Sequence, residues 1–109
     1  SYPVWQMPYA PVPEQGIQIV VSYALPSGLI ERALFSPNNL NSAMELFRNV
    51  NSTDVKIGAM VREHDLWMLE EKGGQRQDLF TETAFSQIGC SSPEVQLVRM
   101  IYGEVRNRF

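Results

Sequence analysis

Residues 55–69 read VKIGAMVREHDLWML, and this stretch decides which fold class the chain is predicted to adopt. Apolar residues fall at every second position over 55–61, which is the period of a β-strand with one buried face. A polar bend at 63–65 then precedes four consecutive large apolar residues at 66–69. Because successive side chains of a strand point to opposite faces, we expect two of these four on each side of the sheet. The stretch therefore predicts a β-hairpin whose return strand needs cover on both faces.

Further strands are predicted on both sides of this hairpin. Residues 16–24 alternate in the same way, and a turn containing Pro26 and Gly28 separates them from a strand over 29–35. After Gly73-Gly74, residues 75–83 are interpreted as a mostly polar edge strand. Since hairpins pair their strands in opposite directions, the sequence predicts an antiparallel sheet of four or five strands.

Two helices complete the predicted fold. Ser36-Pro37 combines a capping side chain with a proline at the first helical position, and an apolar stripe follows over 37–51. The second helix begins at residues 91–94, SSPE, which match a capping box. Its apolar face comprises Leu97, Val98, Ile101, Tyr102, Val105 and Phe109. Helices with one apolar stripe each are expected to cover one sheet face, giving a two-layer α+β fold of order ββαββ(β)α.

The N-terminal residues 1–15 differ in composition from the rest of the chain. Prolines recur among Tyr2, Trp5, Met7 and Tyr9, at positions 3, 8, 11 and 13. This density of proline disfavours a helix and favours extended chain. We expect an extended proline-rich arm over 1–15, whose aromatic side chains dock on apolar surface of the same chain or of a partner, and a single α+β domain over 16–109.

Composition indicates a globular chain and narrows the function classes. Of the 109 residues, 44% are hydrophobic and 19% charged, unlike a disordered segment. A net charge of −3 gives no electrostatic case for nonspecific nucleic-acid or membrane binding, and we find neither a signal peptide nor a membrane-spanning apolar run. Cys90 is the single cysteine, so no intrachain disulfide can form, which favours a reducing compartment. We therefore expect a cytoplasmic protein.

The residue types that catalysis or cofactor binding requires are sparse. No glycine-rich phosphate loop precedes a helix, and a structural zinc site would need four Cys or His ligands where the chain has one of each. Cys90 precedes a helix N-terminus that could stabilise a thiolate, whereas His64 lies at a hairpin tip without an orienting partner. We expect no metal, no cofactor and no enzymatic activity; a cysteine-dependent enzyme is the third hypothesis.

The second hypothesis is a nucleic-acid-binding regulator. Several arginines fall on or near the polar side of the last helix and could be joined by others in space: Arg48, Arg62, Arg99, Arg106 and Arg108. Acidic residues on the same helix, Glu94 and Glu104, dilute the positive field. Arginine in a last helical turn is also explained by the negative helix terminus.

The leading hypothesis is a small non-enzymatic protein–protein interaction module, acting as an assembly, adaptor or regulatory subunit. The apolar strand at 66–69 and the arm display more apolar area than one sheet face can bury. The expected partner is another protein, including a second copy of the chain in a homo-oligomer. The residues predicted to bind it are Trp5, Met7, Tyr9, Met60, Leu66, Trp67 and Met68.

Overall fold

Five antiparallel strands form one sheet in the computed structural model, which describes residues 16–109. In chain order the strands are β1 (Gln18–Ala24), β2 (Ile30–Phe35), β3 (Asp54–Val61), β4 (His64–Lys72) and β5 (Gln75–Asp78). Their order across the sheet is β2-β1-β3-β4-β5, so the two predicted hairpins lie side by side and join through β1 and β3. The expected arm, residues 1–15, lies outside the described residues.

Residues 16–109 contain three α-helices: α1 (Leu40–Asn49) connects β2 to β3, and α2 (Thr83–Ile88) and α3 (Ser92–Arg108) follow β5. Before α1, a 3₁₀ turn over Pro37–Asn39 begins at the predicted position, with Pro37 in its first turn. The Ser36 side chain makes no capping hydrogen bond, and the α-helix itself begins only at Leu40. At α3 the capping box is complete, because the Glu94 N–H donates to Ser91 Oγ at 3.4 Å and the Ser91 N–H donates to Glu94 Oε1 at 2.7 Å. No helix within residues 16–109 is both long and apolar enough to cross a membrane.

The helices cover one face of the sheet, which confirms the two-layer α+β prediction. From the sheet, alternate side chains such as Ile19 and Ile57 point into the core at 0% exposure. From the helices, the core receives Leu40, Ala43, Met44, Phe47, Phe85, Leu97, Val98, Ile101 and Val105. The period-two and period-3.6 patterns therefore meet in a single core between the two layers.

The predicted strand over 75–83 is wrong beyond Asp78, because the chain there folds back over the helix-covered side. The Phe80 N–H donates to Asp78 Oδ1 at 3.0 Å, and this local turn ends the strand. Phe80 then stacks on Tyr102 of α3, with ring centroids 4.1 Å apart. The short helix α2, which the sequence analysis missed, follows and buries Phe85.

A β-bulge corrects the expectation that residues 66–69 divide equally between the two faces. The pairing of β3 with β4 shifts between Ile57 and Gly58, so that Ile57 lies opposite Leu69 but Gly58 lies opposite Trp67. An extra residue in one strand lets neighbouring side chains share a face. As a result Leu66, Met68 and Leu69 all enter the core, and Trp67 alone points to the other side.

We predict that Gly58→Ala destabilises the fold by about 1–3 kcal/mol, the usual cost of overpacking a closely packed site. A Cβ at this position would lie 2.5 Å from the Leu66 carbonyl oxygen and 2.9 Å from Trp67 Cα, and both are backbone atoms. Gly103→Ala is the matched control, because no atom lies within 4 Å of its Cβ position in α3. It should stabilise the helix by up to about 1 kcal/mol. Chemical denaturation of both variants measures the difference, and equal free energies of unfolding would contradict the close approach at the bulge.

Candidate functional site

The face of the sheet opposite the helices is the candidate site, and we call it the outer face. Residues that are paired across antiparallel strands lie on the same side, so the strand register identifies its members. They are Gln18, Val20, Ser22, Ala24, Ile30, Arg32, Leu34, Lys56, Gly58, Met60, Asp65, Trp67 and Glu70. Within residues 16–109 the core residues all lie on the opposite face, between the sheet and the helices.

An ion pair between Arg32 and Asp65 spans the outer face. Arg32 lies on β2 and Asp65 on β4, so the arginine side chain crosses β1 and β3 to reach its partner. Nη1 donates to Oδ2 at 2.9 Å and Nη2 donates to Oδ1 at 2.8 Å, which is a bidentate contact. The hydrogen bond to Asp65 outweighs partial burial and raises the pKa of Arg32. A fixed, permanently charged strap therefore ties the two hairpins together.

Trp67 forms the centre of the outer face. It lies opposite Gly58, where the two backbones approach so closely that a Cβ would lie 2.9 Å from Trp67 Cα. The Lys56 ammonium lies 5.2 Å from the ring centroid and the Arg32 guanidinium carbon 5.9 Å, both within the range of cation–π attraction. Val20, in the same row across the sheet, is 0% exposed although it points away from the helices. The outer face therefore has a packed centre of its own.

Exposed apolar side chains border this centre on one side only. Within residues 16–109 the large exposed hydrophobic residues are Leu29, Ile30 and Leu34, at 68%, 60% and 48% exposure. All three belong to β2 or to the turn before it, and β2 is an edge of the sheet. The outer face thus combines a charged and aromatic centre with an apolar edge.

A cleft of about 220 Å³ opens beside Trp67 at the other side of the outer face. Its lining includes Asp65, Trp67, Leu79, Phe80 and Ala84. This is below the range of about 300–1,000 Å³ that is typical of small-molecule sites, but it is large enough for a side chain. The cleft is therefore better suited to a protein side chain than to a complete metabolite.

The structure separates the residues that the sequence predicted to bind a partner. Met60 and Trp67 lie on the outer face, and the Arg32 guanidinium also contacts Met60 Sδ at 3.8 Å. Leu66 and Met68 are buried in the core at 5% and 0% exposure, so the fold itself uses their apolar surface. The other three, Trp5, Met7 and Tyr9, lie outside the described residues.

The arginines of the nucleic-acid hypothesis lie in two places rather than one. Arg62 binds Glu94 at 2.9 Å at the start of α3, and Arg99, in the middle of that helix, binds Glu82 at 2.8 Å. Arg48 lies over the Phe109 ring and Arg108 donates to Asn41, at the other end of that helix. Arg106 is exposed in the last turn of α3. Glu94 and Arg108 are separated by about 21 Å of helix, so these arginines do not form a continuous cationic surface.

Arg62 also has a structural role at the turn between β3 and β4. Arg62 and Glu63 both adopt positive φ, 52° and 68°, which is unfavourable for residues other than glycine and asparagine. The Arg62 guanidinium bonds to Glu94, whose side chain is completely buried beneath α3. This ion pair holds the turn against the start of the helix.

Cys90 and His64 lie on different elements: Cys90 precedes α3, and His64 is exposed at the start of β4. Cys90 lies in a cleft with Ser92, Val95 and Arg99. Burial raises the pKa of its thiol, and the Glu94 carboxylate raises it further against the opposing effect of Arg62. The surroundings of Cys90 therefore disfavour the thiolate form. Within residues 16–109, no group of three Cys, His, Asp or Glu side chains is placed to hold a metal ion.

Two features of the outer face were missed by sequence reasoning. The Arg32–Asp65 pair joins residues that are 33 positions apart in the sequence, so no local sequence pattern indicates it. The apolar edge could have been found in the sequence, because every second position of the second predicted strand lies on the same face. These positions are Ile30, Arg32 and Leu34. That alternation places two large apolar residues on the face that the helices leave uncovered.

No protein-family model, curated protein or solved structure matches this chain. Its function is therefore argued from its own surface.

We predict that Glu94→Gln lowers the free energy of unfolding by about 1–2 kcal/mol at neutral pH, because it removes a charge-assisted hydrogen bond while keeping the side-chain length. Burial alone would raise the pKa of Glu94, but the bonds from Ser91 and Arg62 outweigh it and the pKa is lowered. A lowered folded pKa stabilises the protein above the ordinary carboxyl value, and this stabilisation is lost as pH falls through the folded pKa. The difference in free energy of unfolding between Glu94→Gln and the original chain should therefore become smaller as the pH is lowered.

Glu82→Gln is the control for this experiment, since Glu82 and Arg99 form an exposed pair at 60% and 54% side-chain exposure. Exposed pairs contribute about 0–1 kcal/mol, so this variant should unfold nearly as the original chain does. Denaturant titrations at neutral and acidic pH provide the measurement. A pH-independent effect of Glu94→Gln would show that its charge is not what stabilises the turn.

Proposed function

We propose that the chain is a non-enzymatic protein–protein interaction module that self-associates through the outer face of its sheet. The observation that carries the proposal is the exposure of Ile30 and Leu34 on the one sheet face that the helices leave uncovered. The two side chains flank Arg32 on the same side of β2. Exposed apolar side chains at the margin of a packed surface are typical of protein-binding sites. A role as an assembly, adaptor or regulatory subunit follows from this surface.

The centre of the outer face has the composition of an interface hot spot. Tryptophan, arginine and methionine are enriched where protein interfaces contribute most of their binding energy, and Trp67, Arg32 and Met60 lie together here. Arg32 is already held by Asp65 in the free chain. A partner would therefore meet a surface whose long side chains have lost much of their freedom beforehand, which reduces the entropic cost of binding.

Polar and apolar parts of the surface have separate functions in this proposal. Ile30 and Leu34 supply area that is removed from water on association. The ion pair and the aromatic ring determine how the partner is oriented. A partner that separated Arg32 from Asp65 would lose their interaction, so only orientations that keep the pair intact are favourable. The surface is thus selective as well as adhesive.

Sedimentation velocity of the full chain tests the proposal over concentrations from about 1 µM to about 1 mM, the range in which modest interfaces associate. We predict that the sedimentation coefficient rises with concentration. Leu34→Glu should keep the protein monomeric, because it places a charge on the associating surface. Gln96→Glu adds the same charge on the exposed side of α3, opposite to the outer face, and should associate like the original chain.

A chain that stays monomeric throughout this range would contradict self-association. Equal loss of association in Leu34→Glu and Gln96→Glu would also contradict the proposal, because it would place the contact away from the outer face.

A further inference from the structure

The outer edge of β2 offers backbone groups that no strand within residues 16–109 pairs with. Next to the turn, the Leu25 N–H donates to the Leu29 carbonyl at 2.8 Å, which makes these two residues a hydrogen-bonded pair. Bonded and non-bonded pairs alternate along an antiparallel ladder. The N–H and C=O groups that point away from β1 therefore belong to Ile30, Arg32 and Leu34.

The edge of β2 lacks the devices that usually prevent strand addition. Its register with β1 is regular from Ile30 to Phe35, without a bulge, and it contains neither proline nor lysine. Glu31 points to the helix-covered side, where it accepts a hydrogen bond from the Tyr23 hydroxyl at 2.8 Å. The opposite edge, β5, is four residues long and polar throughout, with the sequence QRQD. The two edges of the sheet are thus chemically different.

The sequence of β2 is complementary to itself. In a two-fold antiparallel pair centred on Arg32, Ile30 of one copy lies opposite Leu34 of the other, and the reverse pair repeats the contact. All outward backbone groups then meet, giving about six hydrogen bonds. A pair centred on Glu31 or Ala33 would instead place Arg32 opposite an apolar residue.

The charge of Arg32 at the centre of this pairing is already neutralised within each copy. Its guanidinium turns inward over β1 and β3 to Asp65, at 2.8 Å, and does not project beyond the edge. In the paired copies, each Arg32 would therefore remain bound to Asp65 of its own copy. Like charges directly opposite each other normally destabilise a strand pair, and the strap removes this penalty.

The N-terminal segment is a poorer partner for this edge than a second copy is. Pairing with β2 requires a run of N–H donors, and residues 1–15 have prolines at positions 3, 8, 11 and 13. The longest run without proline there is 4–7, shorter than the six residues of β2. Proline lacks the donor that a ladder needs.

We infer that two copies of the chain join through β2, about a two-fold axis at Arg32, to form a continuous ten-stranded antiparallel sheet. This inference rests on the proposed self-association and narrows the contact to the β2 margin of the outer face, where Ile30 and Leu34 lie. Met60 on β3 and Trp67 on β4 stay outside the strand pair. A six-residue strand pair is a small interface, so the dimer exchanges readily with monomer rather than being permanent.

Cysteine cross-linking tests the register in the full chain with Cys90→Ser as background. Paired residues in hydrogen-bonded positions have Cα atoms about 5.5 Å apart, within the disulfide range of about 4.4–6.8 Å. Ile30→Cys and Leu34→Cys are prepared as separate proteins, mixed, and oxidised mildly at the concentration where sedimentation shows association. We expect disulfide-linked dimer in the mixture at several-fold the yield of either protein alone, because identical positions lie about 13 Å apart along the strands.

Each other result overturns the inference in a recognisable way. Linkage that is equally efficient in the single variants and in the mixture would exclude this register. Association of the unsubstituted chain without linkage in the mixture would refute pairing through β2 and leave the proposed function standing. Absence of both association and linkage would refute the two together.

Discussion

The β-bulge between Ile57 and Gly58 is the constraint on which both sides of the sheet depend. Gly58 permits it, because a side chain there would collide with the backbone of the neighbouring strand. The bulge turns Met68 and Leu69 together into the core and leaves Trp67 alone on the outer face. A regular ladder would have removed one large apolar residue from the core and added it to the outer face. The division of side chains between the core face and the outer face is therefore set at one point of the backbone.

The two faces are stabilised by different interactions. On the helix side, burial of aliphatic and aromatic side chains provides most of the driving force. On the outer face, a bidentate ion pair and two cations near one indole ring hold long side chains over the middle strands. Within residues 16–109, the large exposed hydrophobic side chains are those at the β2 edge, Leu29, Ile30 and Leu34.

The sequence predicted the regular elements because their signals are local. Period-two alternation indicated β1 and β3, the turn at Pro26 and Gly28 indicated β2, and the apolar run at 66–69 indicated β4. The serine, proline and glutamate of residues 91–94 indicated the start of α3. The missed features depend on contacts between distant residues. The bulge follows from the fit of Gly58 against β4, the end of β5 from a turn at Asp78, and the outer strap from Arg32 meeting Asp65. Leu66 and Met68 share the core face by ordinary strand alternation, whereas the bulge brings Leu69 to that face as well.

Residue-resolved hydrogen exchange is the most direct measurement of the central claim that the edge of β2 is a joining surface. It compares the full chain at concentrations below and above that at which it associates. If two copies pair through β2, the outward amides should become protected at high concentration, since they would then donate to a second strand. These amides belong to Ile30, Arg32 and Leu34. The amides of β5, residues 75–78, should exchange at the same rate in both samples. Unchanged exchange in β2 at a concentration where the protein is associated would show that the copies do not join through this edge.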